Sequence, residues 1–127
     1  MNIQEVSNEI ATTLRNNHID LGMSQDAIFV LGERIRSVAI PEHISIGITP
    51  KENISMEHFQ SKFWKGSVEI TVYSQTIFRC FEIVQMVAMV LQRQSTIALS
   101  QIKIHKIQST AQSTTLQLIA QTIVELT

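Results

Sequence analysis

Charge is scarce in this chain. Of its 127 residues, 17% are Asp, Glu, Lys or Arg, against about 25% in an average soluble domain, while the apolar share is ordinary. The shortfall has to show on the surface. The 10 basic and 11 acidic side chains nearly cancel, which leaves no basic stripe of the kind that grips phosphate, so sequence-specific nucleic-acid binding is disfavoured. Cysteine is scarce too. The single Cys80 excludes an internal disulfide and any CxxC pair for zinc or thiol exchange. Long apolar runs are missing as well, the longest being Met86 to Leu91, far short of the roughly 18 residues of a membrane span. The start, Met1-Asn2-Ile3-Gln4-Glu5, is acidic where a secretory signal would be basic. No membrane partner is expected, and an intracellular or virion-borne protein fits. No repeat or linker divides the chain, so residues 1–127 read as a single domain, long enough to bury about two-thirds of the surface it exposes when unfolded.

Chemistry-bearing clusters are also absent from the sequence. His18, His43, His58 and His105 have no metal-site spacing and no neighbouring cysteine or carboxylate cluster. Lys65-Gly66-Ser67 has the wrong order and no upstream glycine for a phosphate loop. No GxSxG elbow surrounds a serine, and Cys80 falls on the apolar arc of a helix, where a small buried thiol is inert. No enzyme, cofactor or metal is expected.

The elements that are present read as α+β: a mainly antiparallel four-stranded sheet with helices packed on one face. Ile3, Val6, Ile10, Ala11 and Leu14 recur at helical spacing behind Asn2, a good N-cap, and predict a first helix up to Asn17. From Ser24 to Ile40 the pattern is mixed, with Ala27, Ile28, Leu31, Ile35 and Val38 on a helical stripe that Gly32 interrupts; it reads as a short helix and then extended chain. Ile44, Ile46 and Ile48 alternate with polar residues as a half-buried strand that Pro50 should end. Val68, Ile70 and Val72 make a second strand, antiparallel to the first. Ser74 is the expected cap of a long helix from about Gln75 to Arg93. Two closing strands follow, the first with a phase inversion at Lys106-Ile107 that suggests a bulge or an exposed strand end, and the second with Leu116, Leu118, Ala120, Val124 and Leu126 on one face.

Three stretches stand out as candidate contact surfaces. The connection from Pro50 to Lys65 is longer than most in compact domains and carries Met56, Phe59, Phe63 and Trp64. Those side chains either fold back on a sheet edge or extend the next strand, or they form an arm that docks on another subunit. On the long helix Ile77, Cys80, Phe81, Val84, Val87, Ala88 and Leu91 form the core arc, yet Phe78, Ile83, Met86, Met89 and Val90 lie on the opposite arc. Covering each of these would gain roughly 1.5–3 kcal/mol, so either the first helix or a neighbouring subunit lies there. In the last strand Gln117, Ile119, Gln121 and Ile123 face away from the core. Uncharged amides with occasional isoleucine suit a wet protein contact, because they pair without the desolvation cost of an ion; they also solubilise a bare sheet.

Arg34-Ile35 followed by Pro41, the alternating Ile44-Ser45-Ile46-Gly47-Ile48, the run Gly66-Ser67-Val68-Glu69-Ile70-Thr71-Val72-Tyr73-Ser74 leading into a long helix, and the closing hairpin resemble the tail-terminator, or tail-completion, family of long-tailed phages, prophages and gene transfer agents. The similarity covers most of the chain. It implies a structural protein that closes into a homo-oligomeric ring, a hexamer, capping the tail tube and meeting the head-tail neck protein, located in the virion tail and assembled in the bacterial host cytoplasm. The Pro50–Lys65 connection would then face the tube protein. The element order alone also fits a ferredoxin-like module that binds a small molecule or another protein, and another neck or head-completion subunit would share the ring logic.

Overall fold

The computed structural model describes residues 1–32, 42–55 and 61–126. Its first helix, α1 (Ile3–Asn16), starts with a reciprocal cap: the Asn2 side chain accepts from the Glu5 amide at 2.8 Å, and the Glu5 carboxylate accepts from the Asn2 amide at 3.2 Å. Val6, Ile10, Ala11 and Leu14 are buried along one side of it, as their spacing predicts. A single helical turn, α2 (His18–Leu21), follows and stops at Gly22, whose φ of 70° supplies the left-handed cap.

The next segment departs from expectation. Instead of a short helix over Ala27, Ile28 and Leu31, a 3₁₀ turn at Gln25–Ala27 leads into strand β1 (Ile28–Val30), which pairs in parallel with Ile44–Ile46. A β-branched, aromatic, β-branched triplet suits a pleated surface better than a helix. Ile35, Val38 and the extended chain expected up to Ile40 lie outside the described residues.

Strands β2 (His43–Asn53) and β3 (Phe63–Ser74) are antiparallel, with Ile44 opposite Val72, Ile46 opposite Ile70 and Ile48 opposite Val68. Pro50 does not end β2. Pairing shifts register between Pro50 and Glu52 and continues to Asn53 opposite Trp64. Because β1 flanks β2 only as far as Ile46, Pro50 sits where its missing N–H costs no ladder bond. The long helix α3 (Ile77–Gln94) is capped by Thr76, whose hydroxyl accepts from the Arg79 amide at 3.2 Å, and not by Ser74. Ser74 closes β3 and donates to the Glu42 carboxylate at 2.8 Å.

Strands β4 (Ser100–Ser109) and β5 (Thr114–Glu125) complete a sheet in the order β1-β2-β3-β5-β4. Among the described residues it therefore has five strands, where a mainly antiparallel sheet of four was expected; the extra member is the short β1, whose parallel pairing makes the sheet mixed. The expected irregularity near Lys106 is present as a register shift between Ile104 and Lys106, and a second one lies between Ser100 and Lys103. Helices α1 and α3 pack against one side of the sheet and against each other. Between the layers Val6, Ile10 and Leu14 meet Ile44, Ile46, Val68, Ile70, Val72, Val84, Val87, Leu116 and Leu118 in one core. No helix lies over the opposite side of the sheet among the described residues.

Candidate functional site

Among the described residues no group of three or more His, Cys, Asp or Glu side chains could hold a metal, and no buried side-chain polar atom lacks a partner. No described helix is long and apolar enough to cross a membrane. Cys80 is fully buried; its Sγ donates to the Thr114 carbonyl at 3.3 Å. Burial pushes its thiol up from the ordinary range, with the Ser74 backbone acting against that rise. The features that invite a function are surfaces.

The first is the open side of the sheet. Side chains alternate along a strand, so β3 turns Phe63, Lys65, Ser67, Glu69, Thr71 and Tyr73 outward while Trp64, Val68, Ile70 and Val72 face the helices, and β5 opposes Lys65 with Ile123, Ser67 with Gln121, Glu69 with Ile119 and Thr71 with Gln117. At one end of this face three rings cross three strands: Phe29 lies 5.5 Å from His43, which stacks on Tyr73 at 4.8 Å. Near the other end Ile123 is 57% exposed, diagonal to the exposed Phe63. Between them lies a hollow of about 230 Å³ lined by Lys51, Lys65, Lys103, Ser67, Ile119 and Gln121. Lys65 reaches Glu52 at 3.9 Å, with both side chains mostly in solvent.

The second surface is the outer side of α3. Phe78 is 78% exposed and Met89 is 40% exposed, with Met86 half-buried beside them. A groove of about 280 Å³ runs there, with Asp20 and Glu82 beside Met86 and Met89. Arg79 at its edge is already engaged. Its Nε donates to Glu42 at 2.9 Å and its Nη2 to the Leu21 and Gly22 carbonyls at 3.1 Å each, while Nη1 lies 3.4 Å from Glu82.

The expected contact residues thus divide between two sides of the molecule. Phe63, Gln117, Ile119, Gln121 and Ile123 share the open sheet face, and Phe78, Met86 and Met89 share the α3 groove region. Val90 belongs to neither: it is 5% exposed and packs in the core with α1, as does Ile83. The first helix therefore covers part of the arc that looked outward on a wheel, and Asn17 fastens the two helices by donating to Gln94 at 2.9 Å. Trp64 is also turned inward, half-buried against the core, because it sits one position out of phase with Phe63 on β3. Both are strand residues, so the reading in which this stretch extends the strand holds for them. Met56 and Phe59 lie outside the described residues. Sequence reasoning missed the three lysines and the ring row, although Lys65 and Lys103 each alternate with core positions and could have been placed on the outer face by parity.

Comparison with known proteins adds one finding. No protein-family model and no curated protein matches the chain. Its fold is similar to that of a chain in the solved virion of a native gene transfer agent particle, with a TM-score of 0.63 over 92% of this chain and 92% of that chain, at 13% sequence identity.

Proposed function

We propose that this chain is a structural subunit of a phage-like particle, a tail terminator that forms a ring, six copies in the family it resembles, capping the tail tube and meeting the neck protein on its other side. The observation that carries the proposal is the presence of two unlike, incompletely covered surfaces on opposite sides of one sheet: the polar, lysine-bearing open face and the Met86/Met89 groove of α3. A closed ring is built from head-to-tail contacts, and every subunit then needs two different patches. The fold shared with a gene transfer agent virion chain supports a role in such a particle. A cap must also cover the last tube ring without offering a copy of the surface that recruits the next one. The β2–β3 end, with exposed Lys51, Glu52, Lys62 and Phe63, is the candidate for that tube contact.

The test is reconstitution. Purified protein mixed with polymerising tail-tube protein should give tubes of fixed length with density at one end under the electron microscope. Tubes that grow as they do without it, with bare ends, would reject the proposal. The 230 Å³ hollow favours one other reading, a module that binds a small anion. A thermal-shift screen separates the two, since only the module should be stabilised by a low-molecular-weight ligand.

A further inference from the structure

We infer that the free edge of β4 takes up one more strand, an extended acidic segment of another protein in which carboxylates alternate with apolar residues. The inference goes beyond the terminator reading and does not depend on it.

Strand β4 closes one side of the sheet, next to β5. Among the described residues its inner edge is paired and its outer edge is not. The amide of Glu125 donates to the Met1 carbonyl at 2.9 Å, away from β3, so by alternation Thr115, Gln117 and Ile119 aim their backbone groups at β4. Their partners Gln108, Lys106 and Lys103 are the bonded ones. Ile104 and Ile107, opposite Leu118 and Leu116, therefore turn their N–H and C=O outward, which is a template for a further strand.

The side chains of β4 sort by face. Under strict alternation Lys103 and Lys106, three positions apart, would fall on opposite faces. The register shift between Ile104 and Lys106 leaves His105 without a partner and puts both lysines on the open face, opposite Ile119 and Gln117. Ile104 and Ile107 share the other face, where each stays 44% exposed because α3 packs on β3 and β5. A strand laid outside β4 thus meets two amines on one face and two isoleucines on the other.

Charge at this edge has one sign. Residues 95–124 contain no acid. Glu69 is on β3, with β5 between it and β4, and accepts from the Thr49 hydroxyl at 3.3 Å. Glu125 lies past the start of β4, beside Lys62 at 3.9 Å and the Met1 terminal amine at 3.6 Å. Both carboxylates are engaged away from β4. A second copy of β4 would lay lysine against lysine, a common way of keeping an edge strand from pairing with itself. A neutral segment would bond the backbone equally well and leave both amines unpaired. Acids at alternate positions satisfy them, and the apolar residues in between cover Ile104 and Ile107. In such an addition the main-chain bonds supply affinity and the alternating side chains supply selectivity.

The test uses the full chain and labelled peptides of about eight residues that alternate valine with glutamate, glutamine or lysine. Fluorescence anisotropy in about 0.05 M salt should rank them in that order, the glutamate peptide about fivefold tighter than the glutamine one, with the gap lost at about 0.5 M. Amide exchange followed by NMR should slow at Ile104 and Ile107 on binding, since a paired strand occupies those donors and a loose electrostatic contact does not. The variant Lys103→Glu/Lys106→Glu, changed at two exposed positions, should keep its melting temperature and prefer the lysine peptide. Equal binding of the three peptides, unchanged exchange at Ile104 and Ile107, or an isolated chain that self-associates with those two amides already protected would overturn the inference. A chain that binds the glutamate peptide yet fails to cap tubes loses the terminator role and keeps this edge site; one that caps tubes and binds no peptide does the reverse.

Discussion

Arg79 joins segments that are distant along the chain, because one guanidinium holds the Glu42 carboxylate ahead of β2 and the last carbonyls of α2. Gly22 makes room for it. A Cβ at Gly22 would lie 2.8 Å from Nη2 and would also be forced into φ of +70°, so Gly22→Ala should cost about 1–2 kcal/mol, read as a lower urea midpoint with unchanged slope. Cys80 makes a different residue-scale prediction. With its side chain fully buried and its thiol pushed up by desolvation, a disulfide reagent at pH 8 should leave it unmodified in the native chain and titrate one thiol per chain in urea. Rapid native labelling would show that the helix arc around it opens. Its burial was legible from the sequence, since the i, i+4, i+7, i+11 row of Cys80, Val84, Val87 and Leu91 is apolar throughout. The Gly22 cap was not, because it depends on a guanidinium arriving from 57 residues away.

Between elements, α3 shows how far a helical wheel carries. The wheel identifies the core arc, but it cannot say how much of the other arc a second helix covers. Here Ile83 and Val90 are buried in the core that α1 shares, whereas Phe78 and Met89 stay exposed. Val90→Ser should then cost about 2–4 kcal/mol of stability, while Met89→Ser stays within about 0.5 kcal/mol of wild type; calorimetric melting of the two neighbours compares them directly. The same contrast is expected of Trp64 and Phe63, with Trp64→Ser losing stability and Phe63→Ser altering only surface contacts. Strand parity made Ile44, Ile46, Ile48 and the β5 pattern readable. Strand β1 was hidden because three residues carry too little periodicity and its partner lies outside any local window. Pro50 misled because its tolerance depends on β1 ending before it, a fact of sheet order and not of local sequence.

For the molecule as a whole, a sheet dressed by helices on one side and bare of them on the other among the described residues makes stability and contact nearly separable, since the core lies in one layer and the polar pairs in another. Strand β4 is the extreme case. Nine of its ten residues are exposed, including Ile104 and Ile107 at 44% each, because α3 packs on β3 and β5 and does not extend over it. Amides of β4 should accordingly exchange with deuterium much faster than those of β3, which is flanked on both sides; equal protection in the isolated chain would mean that something already shields that edge. The two-sidedness was half legible. Uncharged polar residues on the β5 outer face were visible in the alternation, but the convergence of Lys51, Lys65 and Lys103 required the register of four strands. One practical result comes from the sparse charge of the last third. Beyond Arg93 the only bonds that trypsin can attack follow Lys103 and Lys106, both on that edge strand, so cleavage there serves as a built-in footprint: whether it persists or vanishes when a candidate partner is added tells directly whether that partner makes this flank of the chain inaccessible to the protease.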